Sequence, residues 1–299
     1  MTRTVPSVVA VHGVGNHNPD YPPAEVAADL ANTWAMNLAA GLGTNPAGIR
    51  LSCAYYAHHL HAGMPVAQGP ADDGAAALDL LERTSPEAVA LAAEWLAAVD
   101  LAIAPLELEA ATAQGRLLVP LRQGVSVMAK VCGGLDGAVG RAFAAKFLRE
   151  VTVYLAPGPN AARDAAREEV AEAIAASGAR IVIAHSLGTV VTYEALHAHP
   201  ELGVDLLLTL GSPLALQRGV FDRLQPAAED GTGQRPPGVR RWVNVADHGD
   251  LVAVPRPFKK WFPEVEQDLD VSIAPFDFHR AAHYLRSSAV ATTVGPYLL

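Results

Sequence analysis

The stretch from Ile181 to Val191 reads IVIAHSLGTVV. Its first part is a short, continuous apolar run rich in β-branched residues, the pattern of a strand buried on both faces. Its last part predicts a helix. Ser186 falls on the turn between them, with Ala184 two positions before it and Gly188 two positions after. A nucleophile held on a sharp strand-to-helix turn needs small neighbours at those two positions. An ordinary tight connection that happens to contain a serine looks the same locally, so the rest of the chain decides between them.

Outward from this stretch, apolar strands alternate with helices. Thr4 to Val11 (TVPSVVAV) predicts a buried strand closed by Gly13 and Gly15, and Pro23 to Leu42 a helix ending at Gly41 and Gly43. Ile49 to Ala57 predicts a second strand. A helix capped by Asn160 and closed by Gly178 leads into the strand Ala179 to Ala184. Further strands are expected at Asp205 to Leu210 and Val239 to Ala246, with a last helix near Ala281 to Val290. Such alternation predicts an α/β fold with a mostly parallel sheet and helices on both faces. Functional groups then gather at the strands' C-terminal ends.

Residues 58–155 break the alternation. They carry Ala/Leu-rich helical patterns at Glu87 to Ala104, Pro105 to Leu118 and Ser126 to Arg149. This length exceeds a simple connection, so it is expected to be a helical cap inserted into a core of residues 1–57 and 156–299.

Composition narrows the partners. A formal net charge of −9, with no basic run, excludes general nucleic-acid binding, which needs clustered Lys and Arg. No apolar run reaches the roughly 18 residues needed to span a bilayer, so no stable membrane insertion is expected. The two cysteines, Cys53 and Cys132, are read as free thiols in a reducing, cytoplasmic setting.

A serine hydroxyl needs a base to take its proton and an acid to orient that base. In a fold of this kind the acid follows a later strand and the histidine comes last. After Val239 to Ala246 the chain reads ADHGDLVAVP, which offers Asp250 and Asp247; near the end, FDFHRAAHYLRS offers His283 and His279. If both histidines lie on one helix they share a face at i, i+4, and position alone leaves either one open.

These features resemble the α/β-hydrolase superfamily, in particular lipase- and esterase-like serine hydrolases with an AHSLG elbow. The resemblance rests on HGVG at 12–15, AHSLG at 184–188, LGSP at 210–213, N-x-x-D-x-x-D-x-V at 244–252 and AHYL at 282–285. It implies a triad of Ser186, Asp250 and His283, with backbone N–H donors from Val14 and Leu187 forming an oxyanion hole. His12, Gly13 and His185 would line the substrate site beside them. The implied reaction is cleavage of a small-molecule carboxylic ester through an acyl-enzyme, with no cofactor. The same triad serves thioesterases, amidases and peptidases, and a binding or regulatory module on a hydrolase scaffold is the alternative from another class.

The run AHHLHAG places His58, His59 and His61 together, with His17 and His12 elsewhere in the sequence. Metal sites usually include carboxylates or cysteines, and this local run has none, so no metal is expected and the histidines are read as lining a pocket mouth.

Overall fold

The computed structural model describes residues 7–62, 91, 147–273 and 279–298. Among the described residues, six strands form one open, wholly parallel sheet: β1 (Ser7–Val11), β2 (Arg50–Ala54), β3 (Ile181–His185), β4 (Leu206–Leu210), β5 (Trp242–Asp247) and β6 (Gln267–Val271). Their order across the sheet is β2-β1-β3-β4-β5-β6. The chain runs outward from β1 to β2, then returns to place β3 on the other side of β1. The direction of winding therefore reverses between β1 and β3. In open parallel sheets the crevice outside the strand ends at such a reversal is where ligands bind.

Helices cover both faces. Val8 and Ala10 of β1, with Ile181 and Ile183 of β3, pack against α1 (Pro23–Leu42) and the C-terminal helices α5 (Ala281–Arg286) and α6 (Ser288–Leu298). Val9, Val11, Val182 and Ala184 face the other way, toward α3 (Ala161–Ser177) and α4 (Leu187–Ala198). The period-2 side-chain alternation of a strand thus splits each apolar run between two cores, and this requires the runs to be continuous. A buried ion pair joins the two helices of the second face: Arg163 Nε donates to Glu194 Oε2 at 2.8 Å, and the Tyr154 hydroxyl donates to the same oxygen at 2.7 Å.

Several expectations hold to the residue. Helix α1 spans Pro23–Leu42 and ends at Gly43 with φ 64°. Asn160 caps α3 by accepting the Arg163 N–H at 3.0 Å, and Gly178 closes that helix at φ 59°. Other boundaries shift. The second strand stops at Ala54, and Ala57–Leu60 forms a short helix, α2. The expected last helix is two helices, broken at Ser287. The edge strand β6 has no counterpart in the sequence reading, because its half-exposed QDLDV pattern lacks an apolar run.

Of the expected 58–155 insertion, only residues 58–62, 91 and 147–155 lie among the described residues, and 147–154 are helical. The other helices expected there, and Cys132, fall outside them. No described helix is long and apolar enough to cross a membrane.

Candidate active site

Ser186 stands between β3 and α4 with φ 54° and ψ −130°. Positive φ is costly for a residue with a Cβ, and it persists only where the surroundings impose it. Here its N–H donates to the Leu210 carbonyl of β4 at 3.0 Å, and its carbonyl accepts the Thr189 N–H at 2.9 Å. Gly188 is required by the same turn: a Cβ there would stand 2.3 Å from the His12 carbonyl oxygen. The small residue after the serine thus lets α4 close onto the end of β1.

Ser186 occupies the N-cap position of α4, yet its side chain makes no capping bond. Its Oγ instead lies 2.9 Å from His279 Nε2, and His279 Nδ1 lies 2.8 Å from Asp250 Oδ2. A carboxylate only accepts, so Nδ1 carries the hydrogen and Nε2 is left to take the serine proton. All three residues are buried. They come from the ends of β3 and β5 and from the segment leading into α5. Chemically, this arrangement can deprotonate a hydroxyl and stabilise the imidazolium that results.

The histidine is a correction to the sequence expectation. His283 lies in α5, one turn further along, while His279 precedes that helix and completes the chain to Ser186. Asp250 rather than Asp247 meets the histidine. Asp247 is spent on the backbone: its Oδ1 accepts the Gly249 N–H at 2.7 Å and its Oδ2 the Ile273 N–H at 2.6 Å.

Asp250 is surrounded by donors. Its Oδ1 accepts the Val252 N–H at 2.9 Å, and its Oδ2 accepts the Tyr284 hydroxyl at 2.7 Å in addition to His279. Burial pushes this carboxyl upward, but His279, Tyr284 and the Val252 amide together outweigh it and hold Asp250 below the usual carboxylate range. Tyr284 was missed in the sequence reading. In the sequence it is the aromatic residue that follows His283 in AHYL, and nothing local ties it to Asp250.

Gly211, in the LGSP segment, has φ 54°; a Cβ there would meet Asp250 Oδ2 at 2.7 Å and His279 Nδ1 at 3.1 Å. This glycine is the floor beneath the acid–imidazole contact.

His185 and His12 flank the serine as neutral, hydrogen-bonded scaffold groups. His185 Nε2 donates to the His279 carbonyl at 2.9 Å, and burial, reinforced by His279, lowers its pKa to about 3. His12 Nδ1 donates to the Gly13 carbonyl at 2.7 Å and its ring stacks on Tyr56 at 4.4 Å; burial lowers its pKa to about 4. The loop after β1 is held further by Asn16 Nδ2, which donates to the carbonyls of Gly13 at 2.8 Å and Val14 at 3.2 Å. Gly13 abuts the serine, since a Cβ there would lie 2.7 Å from Ser186 Cβ. Leu187 is the first residue of α4, where helix N–H groups lack intrahelical partners. Cys53, the other described nucleophile type, is a free thiol that burial pushes up to about 12.

A cavity of about 370 Å³ opens beside Ser186. The loop residues His12, Gly13 and Val14 line it on one side with His185 and His279. Leu30, Trp34 and Asn37 of α1 line it on the other, with Leu285 of α5. It sits in the β1/β3 crevice.

No family model matches this chain, and neither does any curated protein or solved structure.

Proposed function

We propose that the chain is a serine hydrolase of the α/β-hydrolase type that cleaves carboxylic esters through an acyl-enzyme. The observation that carries this reading is the continuous path from Ser186 Oγ through His279 to Asp250, at 2.9 and 2.8 Å, set on a positive-φ turn at the strand ends. A serine in an ordinary turn has no need of a buried imidazole and carboxylate aligned behind it.

In this reading Ser186 attacks the acyl carbonyl while His279 Nε2 takes its proton. Asp250 keeps the imidazole in the required tautomer and offsets its positive charge. The N–H groups of Val14 and Leu187 receive the oxyanion, each contributing about 3 kcal/mol to the transition state. His279 then protonates the leaving alcohol, and water, activated by the same imidazole, releases the acid. The cavity beside Ser186, lined in part by Leu30, Trp34 and Leu285, suits an apolar acyl or alkyl group.

Turnover of a p-nitrophenyl ester series from acetate to long acyl chains tests this reading. The expected result is hydrolysis that Ser186→Ala lowers by at least ~1,000-fold, the scale on which a triad member acts. Absence of turnover across the series, or turnover indifferent to Ser186→Ala, would overturn it.

A further inference from the structure

The histidine run that sequence reading left without carboxylates acquires them in the fold. Helix α2 follows β2 at the sheet edge and packs beside α3, which brings Glu169 to the histidines from 110 residues away. His59 Nε2 lies 3.5 Å from Glu169 Oε2. The ring of His58 stands 3.8 Å from that of His59, centroid to centroid. One ligand-capable atom from each of His58, His59 and Glu169 lies within 4.8 Å of the others, and all three residues are half-buried.

We propose that His58, His59 and Glu169 form a binding site for one divalent transition-metal ion of the zinc class. Two imidazoles and one carboxylate are a familiar zinc donor set, completed by water at the fourth position. In a tetrahedral site with bonds of about 2.0–2.1 Å, the ligand atoms sit roughly 3.3 Å apart. Closing from the present spacing requires side-chain movements on the scale of an ångström, within reach of half-buried side chains.

A simple ion pair accounts for less of this geometry. A partly exposed His–Glu contact contributes little, and it gives no reason for a second imidazole to sit tilted at 39° against the first beside the same carboxylate. His58 Nδ1 is buried without a hydrogen bond of normal geometry among the described residues. By contrast His199, between Glu168 at 3.0 Å and Glu201 at 3.3 Å, is a single imidazole between exposed carboxylates, an ordinary solvated pair. A bound ion would tie α2 to α3 at the β2 edge, two strands away from Ser186.

The test is titration of the chelator-stripped full chain with zinc chloride at pH 7.5, read by calorimetry, with cobalt(II) as a spectroscopic substitute. One zinc per chain is expected, with cobalt absorption typical of a tetrahedral N/O site. His59→Ala and Glu169→Gln should each weaken binding by more than the roughly 10–100-fold that changes outside the ligand set cause. His199→Ala should bind as the wild type does. Should either variant fold poorly, zinc protection of His58 and His59 from diethylpyrocarbonate in the wild-type chain gives the same answer by peptide mass spectrometry. No zinc binding, binding equal in wild type and both variants, or loss on His199→Ala would overturn the site, as would equal modification with and without zinc. Labelling of Ser186 by a serine-directed probe is independent of all these results.

Discussion

Tyr284 and His279 donate to one and the same oxygen, Oδ2 of Asp250, at 2.7 and 2.8 Å. The tyrosine hydroxyl also accepts the Asp247 N–H at 2.8 Å, so it ties the acid to the turn that carries it. Tyr284→Phe removes one donor from a buried carboxylate, a loss of about 1.5–3 kcal/mol for a hydrogen bond to a charged group. The expected outcome is a kcat lowered roughly 10-fold or more with KM nearly unchanged, because the tyrosine positions the acid without lining the cavity. Since Tyr284 helps hold the Asp250 pKa down, its loss moves the acid limb of that variant's activity to higher pH. Steady-state kinetics across pH check both parts.

Gly211 supports the acid–imidazole contact from below. Any Cβ there collides with Asp250 Oδ2 and His279 Nδ1, and φ 54° adds strain for an L side chain. Gly211→Ala should therefore cost activity far more than stability, with ester turnover falling at least ~100-fold, as expected when reacting groups are displaced by about 1 Å. Circular dichroism melts alongside kinetics distinguish this from general unfolding.

His12 and His185 make acid stability fall in a defined window. Both are buried and neutral, with pKa values lowered from 6.5 to about 4 and about 3. Between 6.5 and about 4 the unfolded chain binds protons at these positions that the folded chain does not. Their contribution is complete above pH 6.5 and is lost as pH falls, at up to about 1.4 kcal/mol per pH unit for each histidine. The depressed Asp250 pKa continues the loss in the same direction at lower pH. Urea midpoints at pH 7.5 and 5.5 should show lower stability at 5.5; equal or higher stability at 5.5 would contradict this account.

The order of chemistry along the chain was legible because each part has a local cause. Apolar runs marked β1, β3, β4 and β5, and Ala184 and Gly188 marked the turn that presents Ser186. The histidine was not legible. Helix α5 begins at Ala281 with Arg280 at its N-cap and no side-chain cap, so no Ser, Thr, Asp or Asn announces where the helix starts. Without that boundary His279 and His283 read as neighbours on one helix face. The edge strand β6 escaped notice because a half-exposed strand needs no apolar run. Glu150 and Glu169 are invisible as companions of the histidines for another reason: only the fold brings Glu150 to His61 across 89 residues and Glu169 to His59 across 110. Glu150 in particular accepts both the Gly15 N–H at 3.1 Å and a contact from His61 Nε2 at 3.2 Å, joining the loop after β1 to that cluster.

The measurement that bears most directly on the central claim is covalent labelling by a fluorophosphonate, located by peptide mass spectrometry. The wild-type chain should take up one label, on Ser186, and Ser186→Ala none. His279→Ala should slow labelling at least ~100-fold, the scale of a general base, while His283→Ala labels at the wild-type rate. A label on another residue, or a chain silenced by His283→Ala and unaffected by His279→Ala, would contradict the account.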